Sequence, residues 1–267
     1  QNQKDLFELS QIYEDLLHDM GNAGGNNGEF YTPRCLIKTI VDIVDPKIGQ
    51  TVYDPAAGSC GFLIEAYNHI KPRVQSDSEL SFLANNTFYG NEKTPLAYIL
   101  GVMNMILHGI HNPNLSKTNT LTTNIRDIQE SDRYDIILAN PPFSSTGGRV
   151  KNNSLDFGFR HIESALRRLK KAGRFAVILG ESGSPRSRNG NRFWEYLSPE
   201  IHVNASIELP GREFYSNGTS VKTTLILGTR SPAIDTPLSS QLEAAPHIVS
   251  HSVEDAFDQA ISLNLRF

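Results

Sequence analysis

The chain is poor in cysteine: Cys35 and Cys60 are the only two in 267 residues. Two thiols cannot build a disulfide framework, and neither has partners at metal-ligand spacing, so no metal is expected. Also missing is any apolar run near the roughly 18–20 residues of a membrane-spanning helix, and no membrane association is expected. No basic-plus-apolar leader is visible, which together with the scarce thiols makes a reducing, cytoplasmic setting the expectation. Gln1 stands where an initiator methionine would, as expected of a piece of a longer protein. A net charge of −4 argues against a free-standing nucleic-acid binder, which would be basic overall.

What is present is alternation. Residues 5–20 carry Leu6, Leu9, Ile12, Tyr13, Leu16 and Leu17 at helical spacing, and a Gly/Asn-rich loop follows. Pro33 suits the start of a helix over 33–44. Strands are expected at 51–54, 87–92, 118–121, 134–139, 173–179, 204–210 and 222–228. Helices are expected at 59–70, 94–109, 158–171 and 252–262, and a polar surface loop with at most one helical turn at 71–85. Strands alternating with helices predict an α/β fold, a doubly wound, mostly parallel seven-stranded sheet with helices on both faces. Three segments follow: 1–28, a helix and loop; 29–230, the α/β domain; and 231–267, a tail of unknown role.

Charge is unevenly placed. Residues 149–192 hold eleven Lys/Arg against three Asp/Glu, while the rest of the chain carries −12. This is either a solvated face or a phosphate-facing patch, and Arg186, Arg188 and Arg192 are its candidate contacts to nucleic acid. Trp194 is expected in the core, and His108 and His111 at a helix end where they satisfy carbonyls.

Two stretches carry chemistry. In "VYDPAAGSCGF" (52–62) a strand ends in an acid and a glycine loop runs into a helix. Such strand-end crevices bind ligands in open α/β sheets. The loop lacks the G-x-G-x-x-G of dinucleotide sites. Asp54 at the strand end suits a cationic ligand better than a pyrophosphate, and S-adenosylmethionine carries both a sulfonium and an ammonium. Glu92, ending the next strand, is placed to accept from ribose hydroxyls.

The second stretch is "YDIILANPPF" (134–143), an apolar strand stopped by Asn140, Pro141, Pro142 and Phe143. Asn140 offers a neutral amide oxygen, and the Pro141 carbonyl is free of ladder duty. Paired neutral acceptors suit an aromatic amine. They take its two N–H bonds and turn its lone pair out of ring conjugation, while Phe143 stacks on the ring. A base inside a duplex must flip out to reach such a corner.

The ordered set "GEFYTPR" (28–34), "DPAAGSCGFL" (54–63), "GNE" (90–92), "MNMILHGI" (103–110) and "LANPPF" (138–143) resembles the modification subunit of type I restriction-modification systems, N6-adenine DNA methyltransferases. The resemblance spans about residues 5–230 and implies a Rossmann-like class I S-adenosylmethionine-dependent fold. It implies that Glu29, Phe30, Tyr31, Thr32, Pro33 and Arg34 pack over the methionine end of the donor. Asp54, Ala56, Gly58, Ser59, Cys60 and Gly61 would line its loop, and Glu92 would hold its ribose. Asn140, Pro141, Pro142 and Phe143 would hold the adenine. The family's acid after the third strand is replaced by Asn119, with Asp127 further on as the other candidate for the donor's adenine. Implied partners are double-stranded DNA, a specificity subunit that reads the target, and a restriction (nuclease/translocase) subunit. Residues 1–28 would be the remnant of a helical N-terminal domain. The stretch "VILGESGSPRSRNGNRFW" (177–194) departs from the family's strand-Pro-Gly pattern and is expected either to shape the DNA groove or to be a loop. Asn-Pro-Pro also serves protein-glutamine and RNA methyltransferases. Those readings, and that of a non-catalytic cofactor-binding scaffold, stay open at this point.

Overall fold

Ile136 and Leu138 pack against one side of a sheet, Ile137 and Ala139 against the other, and all four are fully buried. A strand covered on both faces reads as a continuous apolar run, which is why 136–139 has no polar alternation. The computed structural model describes residues 32–142, 154–209, 222–231, 236–250 and 252–263. The helix expected over 5–20, the loop after it, Glu29, Phe30, Tyr31 and Phe143 lie outside the described residues.

Among the described residues the sheet has eight strands rather than the expected seven: β1 (Val52–Asp54), β2 (Phe88–Asn91), β3 (Asn114–Ser116), β4 (Tyr134–Ala139), β5 (Leu169–Gly180), β6 (Ile201–Leu209), β7 (Thr223–Arg230) and β8 (His247–Val249). Their order is β3-β2-β1-β4-β5-β7-β6-β8. β7 is antiparallel to both its neighbours, β5 and β6; all other pairs are parallel. The eighth strand comes from the tail beyond residue 230. Three residues at a sheet edge are too few to leave a periodic signal.

On one face lie α1 (Arg34–Val44), α2 (Gly61–Ile70) and α8 (Val253–Ser262), joined in one core with Met105 of α4 (Pro95–Leu107). On the other face lie α5 (Ser154–Leu166), α6 (Arg188–Leu197) and α7 (Leu238–Ala244). α1 shows how sequence makes such an element. Pro33 precedes it, and Leu36, Ile37, Ile40, Val41 and Val44 form one buried stripe. Asp45, at φ 47°, turns the chain out of the helix.

Three expectations need correction. The third strand is 114–116, not 118–121, and Thr120–Thr122 is a 3-10 turn because the Asn119 side chain accepts the Leu121 N–H and bends the backbone. The polar segment 71–85 holds a further helix, α3 (Asp77–Asn86), started by Ser76 accepting from the Glu79 N–H. Leu83 is its one buried residue, so it has no apolar stripe to read. Finally, α5 stops at Leu166. Lys170 and Lys171, read as helical, open β5 instead, with Ala172 at φ 60° marking the irregular register there.

Candidate active site

β1, β2 and β4 are adjacent and parallel, so their last residues share one edge of the sheet. That edge brings together Asp54, Glu92 and Asn140 from three distant parts of the chain. This is the strand-end crevice where α/β sheets bind ligands.

Asp54 is 2% exposed. Its Oδ1 accepts from the Ala56 N–H at 3.0 Å. Burial pushes its carboxyl up to about 7; the Ala56 bond opposes the shift and the charge of Glu92 adds to it. A buried acid with so little support is a poor structural element and a good receptor for a cation, which would restore its charge. The donor set therefore fits a cationic ligand such as S-adenosylmethionine.

Glu92 is also buried and grips the glycine loop. Its Oε2 accepts from Gly58 N–H at 3.0 Å and its Oε1 from Thr94 N–H at 2.6 Å. Each carboxylate oxygen has a second lone pair, so these bonds leave acceptor capacity for a ligand hydroxyl. Gly58 and Cys60 both adopt positive φ, 51° and 66°, and the buried Cys60 stands just before α2. The N–H groups of Ala56, Ala57, Gly58 and Cys60 are bonded to Asp54, the Asn91 carbonyl, Glu92 and the Ala57 carbonyl, so the loop is fixed from within and α2 opens directly after it.

Sequence reasoning missed what supports this loop. Gly101 of α4 lies so near that a Cβ there would meet Cys60 Sγ at 2.7 Å and the Gly58 carbonyl at 2.8 Å. Asn104 Nδ2 donates to the Ser59 carbonyl at 2.8 Å. Thr120 Oγ1 donates to the Pro55 carbonyl at 2.5 Å, and Asn91 Nδ2 donates to Thr120 Oγ1 and Tyr53 Oη. A glycine and an asparagine inside an otherwise apolar helix were the available signal.

At the Asn-Pro-Pro corner, Asn140 Nδ2 donates to Thr32 Oγ1 at 2.9 Å. The bond joins residues 108 apart in sequence and engages the amide nitrogen. Oδ1 is left as the end that faces away from Thr32. Pro141 is buried and Pro142 half-buried beside it. Pro33 and Arg34 follow Thr32 into α1.

The remaining candidates are placed as follows. Asn119 caps the 120–122 turn, and Asp127 is exposed in another 3-10 turn. Arg186 donates to the Leu242 carbonyl at 2.7 Å, tying the loop after β5 to α7, whereas Arg188 and Arg192 are exposed on α6. The 177–194 stretch packs closely: Trp194 is 1% exposed and its Nε1 donates to the Gly183 carbonyl at 3.0 Å. His108 Nδ1 is paired with the Asn104 carbonyl at the end of α4. Among the described residues no helix is long and apolar enough to cross a membrane, and no cluster of three His, Cys, Asp or Glu has metal-site geometry.

The family model described as N-6 DNA Methylase matches residues 2–236. The methylase subunit of the Escherichia coli type I restriction enzyme EcoEI is 33% identical over 230 residues, which cover 83% of this chain and 46% of that protein. The chain thus spans about half the length of the relatives it matches. A solved chain from a study of type I R-M complex assembly and conformational transition superposes with a TM-score of 0.79 at 32% identity, covering 98% of this chain and 56% of that one. A Listeria monocytogenes chain assigned to the class I S-adenosylmethionine-dependent methyltransferases superposes at 0.67 with 14% identity, covering 97% of this chain and 78% of that one, a likeness of fold alone. The fold is that of the class I methyltransferases.

Proposed function

Because the chain belongs to the N-6 DNA methylase family, we propose that it transfers a methyl group from S-adenosylmethionine to the exocyclic amine of a flipped adenine in DNA, as the modification subunit of a type I restriction-modification system. The observation that carries this reading is the shared edge. An under-supported buried acid, Asp54, stands beside a glycine loop after β1, with the Asn140-Pro141 corner at the adjacent strand-end of β4 and Glu92, which holds the loop, at that of β2.

The donor, when bound, supplies an electrophilic methyl on its sulfonium. Asp54 and the loop over 56–61 hold its charged and polar parts, and Glu92 accepts from its ribose. Asn140 Oδ1 and the Pro141 carbonyl accept the two N–H bonds of the adenine amine. Those bonds favour a pyramidal nitrogen whose lone pair is available, and Phe143 stacks on the ring. The residues contribute positioning and polar contacts, with no covalent enzyme intermediate. Exposed Arg188 and Arg192 are proposed to meet DNA phosphate, with Arg186 beside them. The likeness to type I methylase subunits supports a specificity subunit and a restriction subunit as partners.

Asn140→Ala tests the assignment. Methyl transfer by the complex should fall more than a thousandfold while donor binding, read by calorimetry, changes less than about threefold. Donor binding lost with methylation retained would overturn it.

A further inference from the structure

The same amide that meets the base is held by the segment that meets the donor. We propose that the Thr32 hydroxyl is a positioning relay that makes capture of the adenine amine depend on occupancy of the donor site; this rests on the function proposed above.

A primary amide beside a hydroxyl has two orientations. In the one observed, Asn140 Nδ2 donates to Thr32 Oγ1 at 2.9 Å and Oδ1 faces away from Thr32. In the other, the hydroxyl donates its proton to Oδ1 and the NH2 group faces outward. The first presents an acceptor to the adenine amine. The second presents a donor to a donor and blocks it. A hydroxyl has one proton and two acceptor lone pairs. Once that proton is taken by another acceptor, the hydroxyl meets Asn140 only as an acceptor, and the productive orientation is selected. The sequence resemblance sets Thr32 at the polar methionine end of the donor, and that end carries a carboxylate able to take such a proton.

Thr32 is positioned well enough to act this way. It stands just before Pro33, whose carbonyl accepts the Ile37 N–H at 3.0 Å as the first turn of α1. Ile37 is buried against the start of α2, where a Cβ on Gly61 would lie 2.7 Å from Ile37 Cδ1. The helix that carries Thr32 is therefore clamped to the helix that ends the glycine loop. Donor loop, α1, Thr32 and Asn140 form one contiguous path. The ligand shifts an amide equilibrium already present, so the coupling is reciprocal: donor favours base capture, and DNA favours donor binding by the same factor.

The test uses the whole chain with sinefungin, a non-reactive donor analogue that keeps the carboxylate and ammonium. The side-chain amide resonances of Asn140 are identified by their loss in Asn140→Ala. In the wild type and in Thr32→Ser, saturating sinefungin should shift this pair and slow its hydrogen exchange about tenfold. In Thr32→Val, which keeps the shape and removes the hydroxyl, the pair should not respond, although calorimetry still shows sinefungin bound within about tenfold of wild type. An unchanged response in Thr32→Val, or none in Thr32→Ser, overturns the relay. A wild-type chain that binds no sinefungin overturns the proposed function as well. In the complex with its specificity subunit, Thr32→Val should lower kcat about tenfold, beyond any rise in donor KM from the lost hydrogen bond, and Thr32→Ser should restore both.

Discussion

Asp54 and Asp135 sit on paired strands, β1 and β4, at opposite ends of the sheet, and differ in nearly everything that decides an aspartate's charge. Asp135 Oδ2 accepts from Thr51 N–H, Thr51 Oγ1 and Lys170 Nζ at 2.7 to 2.9 Å. Burial alone would raise its carboxyl, but the Lys170 and Thr51 bonds outweigh that and hold it below the usual range. Nearby, the buried Arg174 donates to the Val44 and Asp45 carbonyls and to Gln50, locking the end of α1 to β5. That end of the sheet is electrostatically finished. At the other end Asp54 has one backbone donor and is pushed up to about 7 by burial. A fold that satisfies one aspartate three times over and leaves its neighbour short of partners has spent its stability at one end and kept the other for a ligand.

Substitutions at the finished end should therefore cost stability and spare ligand binding, and those at the open end should do the reverse. The largest effect is expected from Arg174→Met, which strips the buried Val44 carbonyl and the half-buried Asp45 carbonyl of their charged donor. Urea unfolding should show a loss of about 3 kcal/mol. Sinefungin affinity, measured below the new unfolding midpoint, should change less than threefold. Next is Gly101→Ala, whose methyl must displace Cys60 Sγ or the Gly58 carbonyl. We expect about 2 kcal/mol of destabilisation and, unlike Arg174→Met, at least a tenfold loss of donor affinity by calorimetry. Equal affinity in the two variants would break the comparison. Asp135→Asn should cost about 1–2 kcal/mol at pH 7, discounted for its partial exposure. Its folded carboxyl is depressed, so its contribution is present above the unfolded value near 4 and is lost as pH falls. The gap between Asp135→Asn and wild type should close in acid.

The two ends were not equally legible in the sequence. Strand-ending Asp54 and Glu92 and the Asn140 corner were readable because short buried strands and Gly or Pro breaks announce themselves locally. The fold class followed from alternation for the same reason. β8 and α3 were missed because three edge residues, or a helix burying only Leu83, leave no periodic trace. The Thr32–Asn140 bond, the Gly101 contact and the whole Thr51–Asp135–Lys170 cluster are pairings across long stretches of chain. Nothing in local pattern marks them; only the strand order β2-β1-β4-β5 brings them together. The polar 180–187 turn resembled a loose loop in composition, yet Trp194 anchors it through one indole bond.

The smallest effect at a single pH is also the sharpest contrast. Asp54→Asn should change stability little below about pH 4, where the wild-type carboxyl is neutral in the folded and the unfolded chain alike. The folded value, about 7, lies above the unfolded value near 4. The folded state therefore binds more protons than the unfolded state between those limits. Stability from this group is fully present below about 4 and is lost as pH rises through about 7, the opposite sign to Asp135. Unfolding curves for the donor-free wild type should fall between about pH 4 and 7 relative to Asp54→Asn, with a slope of at most about 1.4 kcal/mol per pH unit. A cation placed beside Asp54 returns its charge, so sinefungin binding to wild type at pH 6 should release protons that Asp54→Asn does not, visible as a buffer-dependent binding enthalpy. Parallel pH profiles for the two proteins would mean that Asp54 is as settled as Asp135, and the difference between the two ends of the sheet would vanish.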